Sequence, residues 1–176
     1  YSMSYQASRR GFLAASAGII AAPAAPVQQQ AMPMRTLGKT GLKVSAMGMG
    51  CMTCSDPAVI ETALNAGITY FDTARGYQGG NNERMVGAAL KGKRDKVFLV
   101  SKVETNAKGD ALYQIQDSLR KLQTDHLDCI HIHNISRDDR YPKLEQALAM
   151  NGTLGALLEA KKKGWTRHIG CTRHLR

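Results

Sequence analysis

Acidic residues are the scarce class in this chain: 14 Asp and Glu stand against 24 Lys and Arg, a formal net charge of +10, and the first 32 residues contain no acid at all. Aromatic residues make up only 6%, with a single Trp, so an interleaved aromatic platform for stacking nucleobases is excluded. Four cysteines, at positions 51, 54, 129 and 171, are too few and too unevenly spread for a disulfide scaffold. No apolar run reaches the roughly 20 residues that cross a bilayer, so no stable membrane anchor is expected. Nor does the chain repeat itself at the periods of the common solenoid families. What is present is ordinary: 176 residues, 43% apolar and 22% charged, with 17 glycines scattered without period. Such values fit one globular domain of roughly 100 to 200 residues and do not fit disorder, collagen or a coiled coil.

Residues 1–32 are set apart by charge. Arg9 and Arg10 are their only charged residues, and Ser8-Arg9-Arg10-Gly11-Phe12-Leu13 opens a short apolar stretch through Ile19 and Ile20 that runs into an Ala/Pro-rich segment. A basic start, a short apolar middle and a small-residue end make the layout of an export signal. The paired arginines ahead of Phe12 and Leu13 resemble the twin-arginine signal, whose export machinery moves folded proteins, and Ala22-Pro23-Ala24 offers a cleavage site. The expectation is a signal peptide and linker over 1–32 and a domain over 33–176. The location is then periplasmic or otherwise exported, or cytoplasmic if the signal is not used.

Without that segment 22 basic and 14 acidic residues remain, a charge of +8. Lys91, Lys93, Arg94 and Lys96 form one basic cluster and Lys161, Lys162 and Lys163 begin another. The second closes a helical pattern ahead of Gly164, where cations complement the helix dipole. It is read as a solvated helix end, and no nucleic-acid partner is expected.

From residue 46 onward short apolar runs alternate with helix-period stretches. Strands are predicted over 46–52, 68–74, 97–103, 127–133 and 167–171. Between them, Asp56-Pro57 opens a helix with Val59, Ile60, Ala63 and Leu64 on one face, and Asn81 or Asn82 caps a second bearing Met85, Val86, Ala89 and Leu90. Leu112, Ile115, Leu119 and Leu122 mark a third helix, and 154–162 a fourth. Met34 to Leu37 and Leu42 to Val44, flanking Gly38-Lys39-Thr40-Gly41, predict a small β-hairpin ahead of the first strand. Strand, helix, strand repeated in this way is the α/β class with a parallel sheet. The absence of a third glycine after Gly48 and Gly50 weakens a dinucleotide-binding open sheet and favours a barrel.

In parallel βα proteins the chemistry sits beyond the carboxyl ends of the strands. Those ends bring Asp72, with Tyr77 five residues on, then Lys102, then His133 and Asn134. Alternation puts Cys129, His131 and His133 on one face of the fourth strand and Ile130 and Ile132 on the other. A tyrosine, with a pKa of about 10, holds its proton too tightly to be an efficient acid at neutral pH. An adjacent ammonium favours the phenolate, a carboxylate holds that ammonium in place, and an imidazole can hydrogen-bond the same substrate oxygen. Such a group could protonate a carbonyl oxygen as a hydride arrives at carbon.

Taken in order, these residues resemble the aldo-keto reductase family: Met34-Arg35-Thr36-Leu37-Gly38-Lys39-Thr40-Gly41-Leu42-Lys43-Val44-Ser45, Gly48-Met49-Gly50, Phe71-Asp72-Thr73-Ala74 with Tyr77 and Glu83, Ser101-Lys102, Leu127-Asp128 leading to His133, and Ile169-Gly170. The resemblance implies a (β/α)8 TIM barrel, an NADP(H) or NAD(H) cofactor, and reduction of a small-molecule aldehyde or ketone, or the reverse. It makes Tyr77 the general acid, Asp72 and Lys102 its tuning pair, and His133 the orienting group. Tyr77, His133 and Asn134, the last standing where the family often has Trp, would face substrate. Met52, Thr53, Asp72 and Thr172 would touch the cofactor, with Arg173 replacing the amide that usually follows Thr172.

Cys51-Met52-Thr53-Cys54 is a lone C-x-x-C, whereas a tetrahedral metal site wants four ligands; no metal is expected and the thiols are read as small buried groups. Such a barrel needs eight strands and roughly 250 residues. The five strands counted here predict about the first five βα units, as a fragment of a longer reductase with most of the grip on the cofactor phosphates beyond it. The other readings are a non-catalytic nucleotide-binding or regulatory barrel and an inactive fragment; a complete acid–base group speaks for catalysis.

Overall fold

A computed structural model of the protein describes residues 31–135, 141 and 144–174, so the signal reading of Arg9, Arg10 and Ala22-Pro23-Ala24 lies outside the described residues. The described chain opens with an antiparallel hairpin, β1 (Met34–Thr36) and β2 (Lys43–Ser45), with Arg35 opposite Val44. Its turn closes through Leu37 N donating to Leu42 O at 2.8 Å, and Gly38 and Gly41 adopt positive φ there, a conformation that costs glycine little. Ahead of the hairpin, Met32 already packs against the main core.

There follow β3 (Gly48–Gly50), α1 (Pro57–Asn65), β4 (Tyr70–Asp72), α2 (Asn81–Ala89), β5 (Phe98–Val103), α3 (Lys108–Leu122), β6 (Leu127–Ile132), α4 (Leu144–Ala147), α5 (Thr153–Lys162) and β7 (Thr166–Cys171). All five later strands are parallel and lie in sequence order, β3-β4-β5-β6-β7. A doubly wound sheet reverses its strand order at a switch point; this sheet does not, and its topology is that of consecutive βα units in a barrel wall. No helix among the described residues is long and apolar enough to cross a membrane.

The helices start and stop for local reasons. Asp56 caps α1 through its Oδ1, which accepts from Ala58 N at 2.8 Å, with Pro57 in the first turn. In α3 the buried residues Ala111, Ile115, Leu119 and Leu122 recur at helical spacing, and that stripe lies against the sheet. Two expectations change. The strands foreseen over 46–52 and 68–74 pair only at Gly48–Gly50 and Tyr70–Asp72, because the ladder is confined to where β3 and β4 face each other, although Cys51 N still donates to Asp72 O at 2.8 Å. Neither Asn81 nor Asn82 caps α2: the N-cap is Gly80 at φ 89°, and the Asn82 side chain is used elsewhere, as described below.

The two faces of the sheet bury different things. Toward the helices lie Phe71, Leu99, Val103, Ile130 and Ile132, packed with Ile60, Val86, Ile115 and Leu157. The other face holds Val44, Phe98, Val100 and Cys129, against which Leu37, Leu42 and Tyr70 pack. The hairpin therefore stops the amino-terminal end of the strands, and the polar residues of the same face gather at the carboxyl end.

Candidate active site

Register fixes the site before any side chain is considered. Asp72 pairs with Val100 and Lys102 with His131, while His131 pairs with Gly170. Asp72 ends β4, Lys102 stands one residue from the end of β5, and His133 follows the end of β6. Three adjacent strands thus deliver a carboxylate, an ammonium and an imidazole to one rim. Tyr77 arrives from the 3-10 turn Tyr77–Gly80 that leads into α2. That turn is tied to α3, since Arg75 pairs with the buried Asp117 at 2.5 Å.

The geometry joins all four. The buried Lys102 Nζ forms an ion pair with Asp72, donates to Thr73 O at 2.7 Å, and lies 3.2 Å from the Tyr77 hydroxyl oxygen. The His133 ring stands edge-on to Tyr77, with centroids 5.8 Å apart, and its Nδ1 contacts the Glu104 carboxylate. Asp72, Tyr77, His133 and Asn134 line a cleft of about 290 Å³ together with Gly50, Cys51, Met52 and His174. That volume lies at the small end for ligand pockets. A positive charge held beside the phenol oxygen stabilises negative charge there when the proton leaves.

Of the residues assigned from sequence to the cofactor, Met52 lines the cleft and Thr53 does not; Thr53 is exposed beside it. The Thr172 hydroxyl oxygen accepts from Asn134 N at 2.8 Å, so its placed role is to hold the backbone of Asn134, which sits at φ 55°. His174, two residues later, reaches the cleft in its place. The chain turns after β7 so that the Thr172 hydroxyl faces the neighbouring loop, whereas Thr53 stands exposed in the loop after β3.

Sequence reading missed Glu104 and the true role of Asn82. Glu104 carries a legible signal, being a carboxylate two residues after Lys102, just beyond the end of β5 and of the same parity. Asn82 is fully buried; its Nδ2 donates to Cys51 O at 2.8 Å and to Cys54 O at 3.0 Å, and its Oδ1 accepts from Thr73 Oγ1 at 2.6 Å. Gln78 Nε2 adds bonds to Met52 O and Cys54 O at 3.2 and 2.8 Å. Together these fix the loop after β3. Glu83, part of the family pattern, faces the helices, where its Oε1 accepts from Ser101 Oγ at 2.6 Å. Burial pushes its carboxyl above the ordinary value, with the Ser101 hydrogen bond opposing.

Burial, with Cys54 and Asp72 adding to it, pushes the Cys51 thiol up to about 12, which makes it a poor nucleophile at neutral pH. Among the described residues no group of three or more His, Cys, Asp and Glu is placed to hold a metal.

A sequence model of the Aldo/keto reductase family matches residues 53–174. The chain is 34% identical over 158 residues to an L-galactose dehydrogenase of Arabidopsis thaliana, covering 79% of this chain and 48% of that protein. It is 34% identical over 137 residues to a methylglyoxal reductase of Salmonella typhi, covering 73% and 48%. Among solved structures, a holo-form aldo-keto reductase of Bacillus halodurans superimposes with a TM-score of 0.69 at 33% identity, over 81% of this chain and 50% of that one. An aldo/keto reductase of Klebsiella pneumoniae in complex with NADP and acetate gives 0.64 at 30% identity, over 74% and 46%. The chain spans about half the length of these relatives, and the five-stranded sheet is the corresponding part of their barrel. By the family match and by this fold, the chain belongs to the aldo/keto reductase family.

Proposed function

We propose that the chain carries the acid–base centre of a nicotinamide-dependent oxidoreductase that reduces small aldehydes or ketones, or runs the reverse reaction. The observation that supports this most directly is Lys102, whose Nζ is held by Asp72 and reaches the Tyr77 oxygen at 3.2 Å, with His133 against the same phenol. In this reading Tyr77 gives its proton to the carbonyl oxygen and the Lys102 ammonium stabilises the phenolate left behind. Asp72 keeps Lys102 in place while it does so. His133 would orient the substrate oxygen from the other side of the cleft, accepting from an alcohol hydroxyl or, in its doubly protonated form, donating to a carbonyl oxygen, and Asn134 faces the substrate.

The cleft suits a flat nicotinamide ring. Gly50 lines it, and a Cβ built there would meet nothing within 4 Å, so a side chain would fill space that glycine leaves open. Gly50, Met52 and Asp72 would border the ring, and the cofactor, NADP(H) in first place and NAD(H) in second, would supply or receive the hydride. The relative crystallised with NADP supports that order.

NADPH oxidation by the full chain over a panel of small aldehydes and ketones tests the activity. Tyr77→Phe removes the transferable proton and should lower turnover at least about 100-fold; unchanged turnover refutes the assignment. Residues 1–32 would send this oxidoreductase out of the cytoplasm in folded form through a twin-arginine route, supported by Arg9 and Arg10 as their only charges. Fusing residues 1–40 to a folded reporter tests it: export that persists when both arginines become Lys refutes the route.

A further inference from the structure

We propose that Glu104 is a positioning residue for His133: its carboxylate accepts a hydrogen bond from the Nδ1–H of the imidazole and so leaves Nε2 as the ring nitrogen presented to the cleft. Three elements build the arrangement. From α3, Gln114 brackets the Glu104 backbone, its Oε1 accepting from Glu104 N at 2.9 Å and its Nε2 donating to Glu104 O at 3.3 Å. From the loop ahead of Tyr77, Gly76 leaves room for the carboxylate; a Cβ there would stand 3.3 Å from Glu104 Oε1. From the end of β6, His133 meets that same Oε1 through Nδ1. The carboxylate thus sits between the backbone that carries the general acid and the ring that faces it.

The chemistry follows from the donor inventory. An ionised carboxylate only accepts, so the hydrogen in this contact belongs to the imidazole, and a neutral imidazole has one such hydrogen to place. With it on Nδ1, Nε2 carries the lone pair. Neutral His133 is then matched to a substrate O–H, as in alcohol oxidation or beside a hydroxyl-bearing carbonyl, and donates to a bare carbonyl oxygen only when doubly protonated. A carboxylate or carbonyl behind a functional imidazole commonly sets its tautomer and ring orientation in this way. The kinetic consequence rests on the oxidoreductase reading above; the tautomer does not.

Long-range 1H–15N correlation spectra of the full chain labelled at histidine test the tautomer directly, with His133 assigned by its loss in His133→Asn. The wild-type ring should show a protonated Nδ1 and a lone-pair Nε2. Glu104→Ala should move the proton to Nε2, and Glu104→Gln, which keeps a carbonyl oxygen in the same place, should retain the wild-type pattern. A wild-type ring protonated on Nε2, or a Glu104→Ala spectrum unchanged from wild type, overturns the proposal. With NADPH and a small hydroxyaldehyde, Glu104→Ala should lower kcat about ten-fold or more, leave the KM for NADPH unchanged, and be partly rescued by Gln; full kcat in the Ala variant refutes the positioning role. If the wild type turns over no carbonyl compound, the oxidoreductase reading falls, and the spectra alone decide this one.

Discussion

Replacing Gly87 with Ala sets two effects of opposite sign against each other. Gly87 lies inside α2, where alanine is favoured over glycine by about 1 kcal/mol on helix propensity alone. It is also buried where α2 meets the end of α3: a Cβ there would stand 2.5 Å from Leu122 O and 2.6 Å from Leu122 C and Cα. Carbon contacts settle at about 3.5–4.0 Å, so the two helices must separate by about 1 Å. The obstructing atoms are backbone and no rotamer change relieves them. Val86 and Ala89 on α2, and Ile115 and Leu119 on α3, are packed around the crossing and would lose contact as it opens. Overpacking of a close-packed core costs about 1–3 kcal/mol, and a rigid backbone obstacle places this case near the top. The contact therefore wins by about 2 kcal/mol, which corresponds to a fall in Tm of about 6 °C for a domain of this size. Urea unfolding should show a lower midpoint with an unchanged slope. Gly109→Ala is the control: it lies near the start of α3 with nothing within 4 Å of its Cβ, and it should hold or slightly raise the midpoint. A Gly87→Ala midpoint at or above wild type would refute the reasoning.

Lys102→Met keeps the volume of a residue held in a buried ion pair but removes the charge beside Tyr77; turnover should fall at least about 100-fold with nucleotide affinity unchanged, measured by steady-state rates and cofactor fluorescence. Since burial raises the Glu83 carboxyl in the folded state, its contribution to stability is complete below the unfolded value and is lost as pH rises through the folded one. Glu83→Gln should therefore gain relative to wild type in urea midpoints as pH rises above about 4, the ordinary carboxyl value, and a constant difference would contradict it. Cys51 and Cys129 are buried and pushed up to about 12 and about 11, Cys54 is buried, and Cys171 is exposed. A thiol reagent at pH 8 should thus label Cys171 alone in the native chain and all four thiols in urea; fast labelling of Cys51 would sink that picture.

The parts of the site that period and position carry were readable before the structure. Asp72, Lys102 and His133 fall at the ends of successive apolar runs, and once those runs are parallel neighbours in order, their ends share a rim. Alternation separated Cys129 and His131 from Ile130 and Ile132, and the two cores divide along the same line. What escaped was long-range pairing between residues whose local context suggested something else. Asn82 reads as a helix cap, yet it bonds Cys51, 31 positions earlier in the chain. Glu104 lies 29 positions from His133, and a carboxylate beyond a strand gives no sign of which imidazole it will meet. Thr172, assigned to the cofactor by the family resemblance, has a further contact no local pattern shows: its hydroxyl oxygen accepts from Asn134 N and holds the turn there.

The bracket made by Asn82 separates two things that catalytic loops usually mix. Both amide hydrogens of one buried side chain hold the carbonyls of Cys51 and Cys54, and Gln78 reinforces the span from outside. Between those anchors stand Met52 and Thr53, both exposed and with no side chain in the core. Their identities can therefore be exchanged without moving the path of the chain or the acid–base group beneath it. The loop works as a fixed frame with two interchangeable faces, and variation in it would retune what enters the cleft while leaving the machinery that acts on it unaltered.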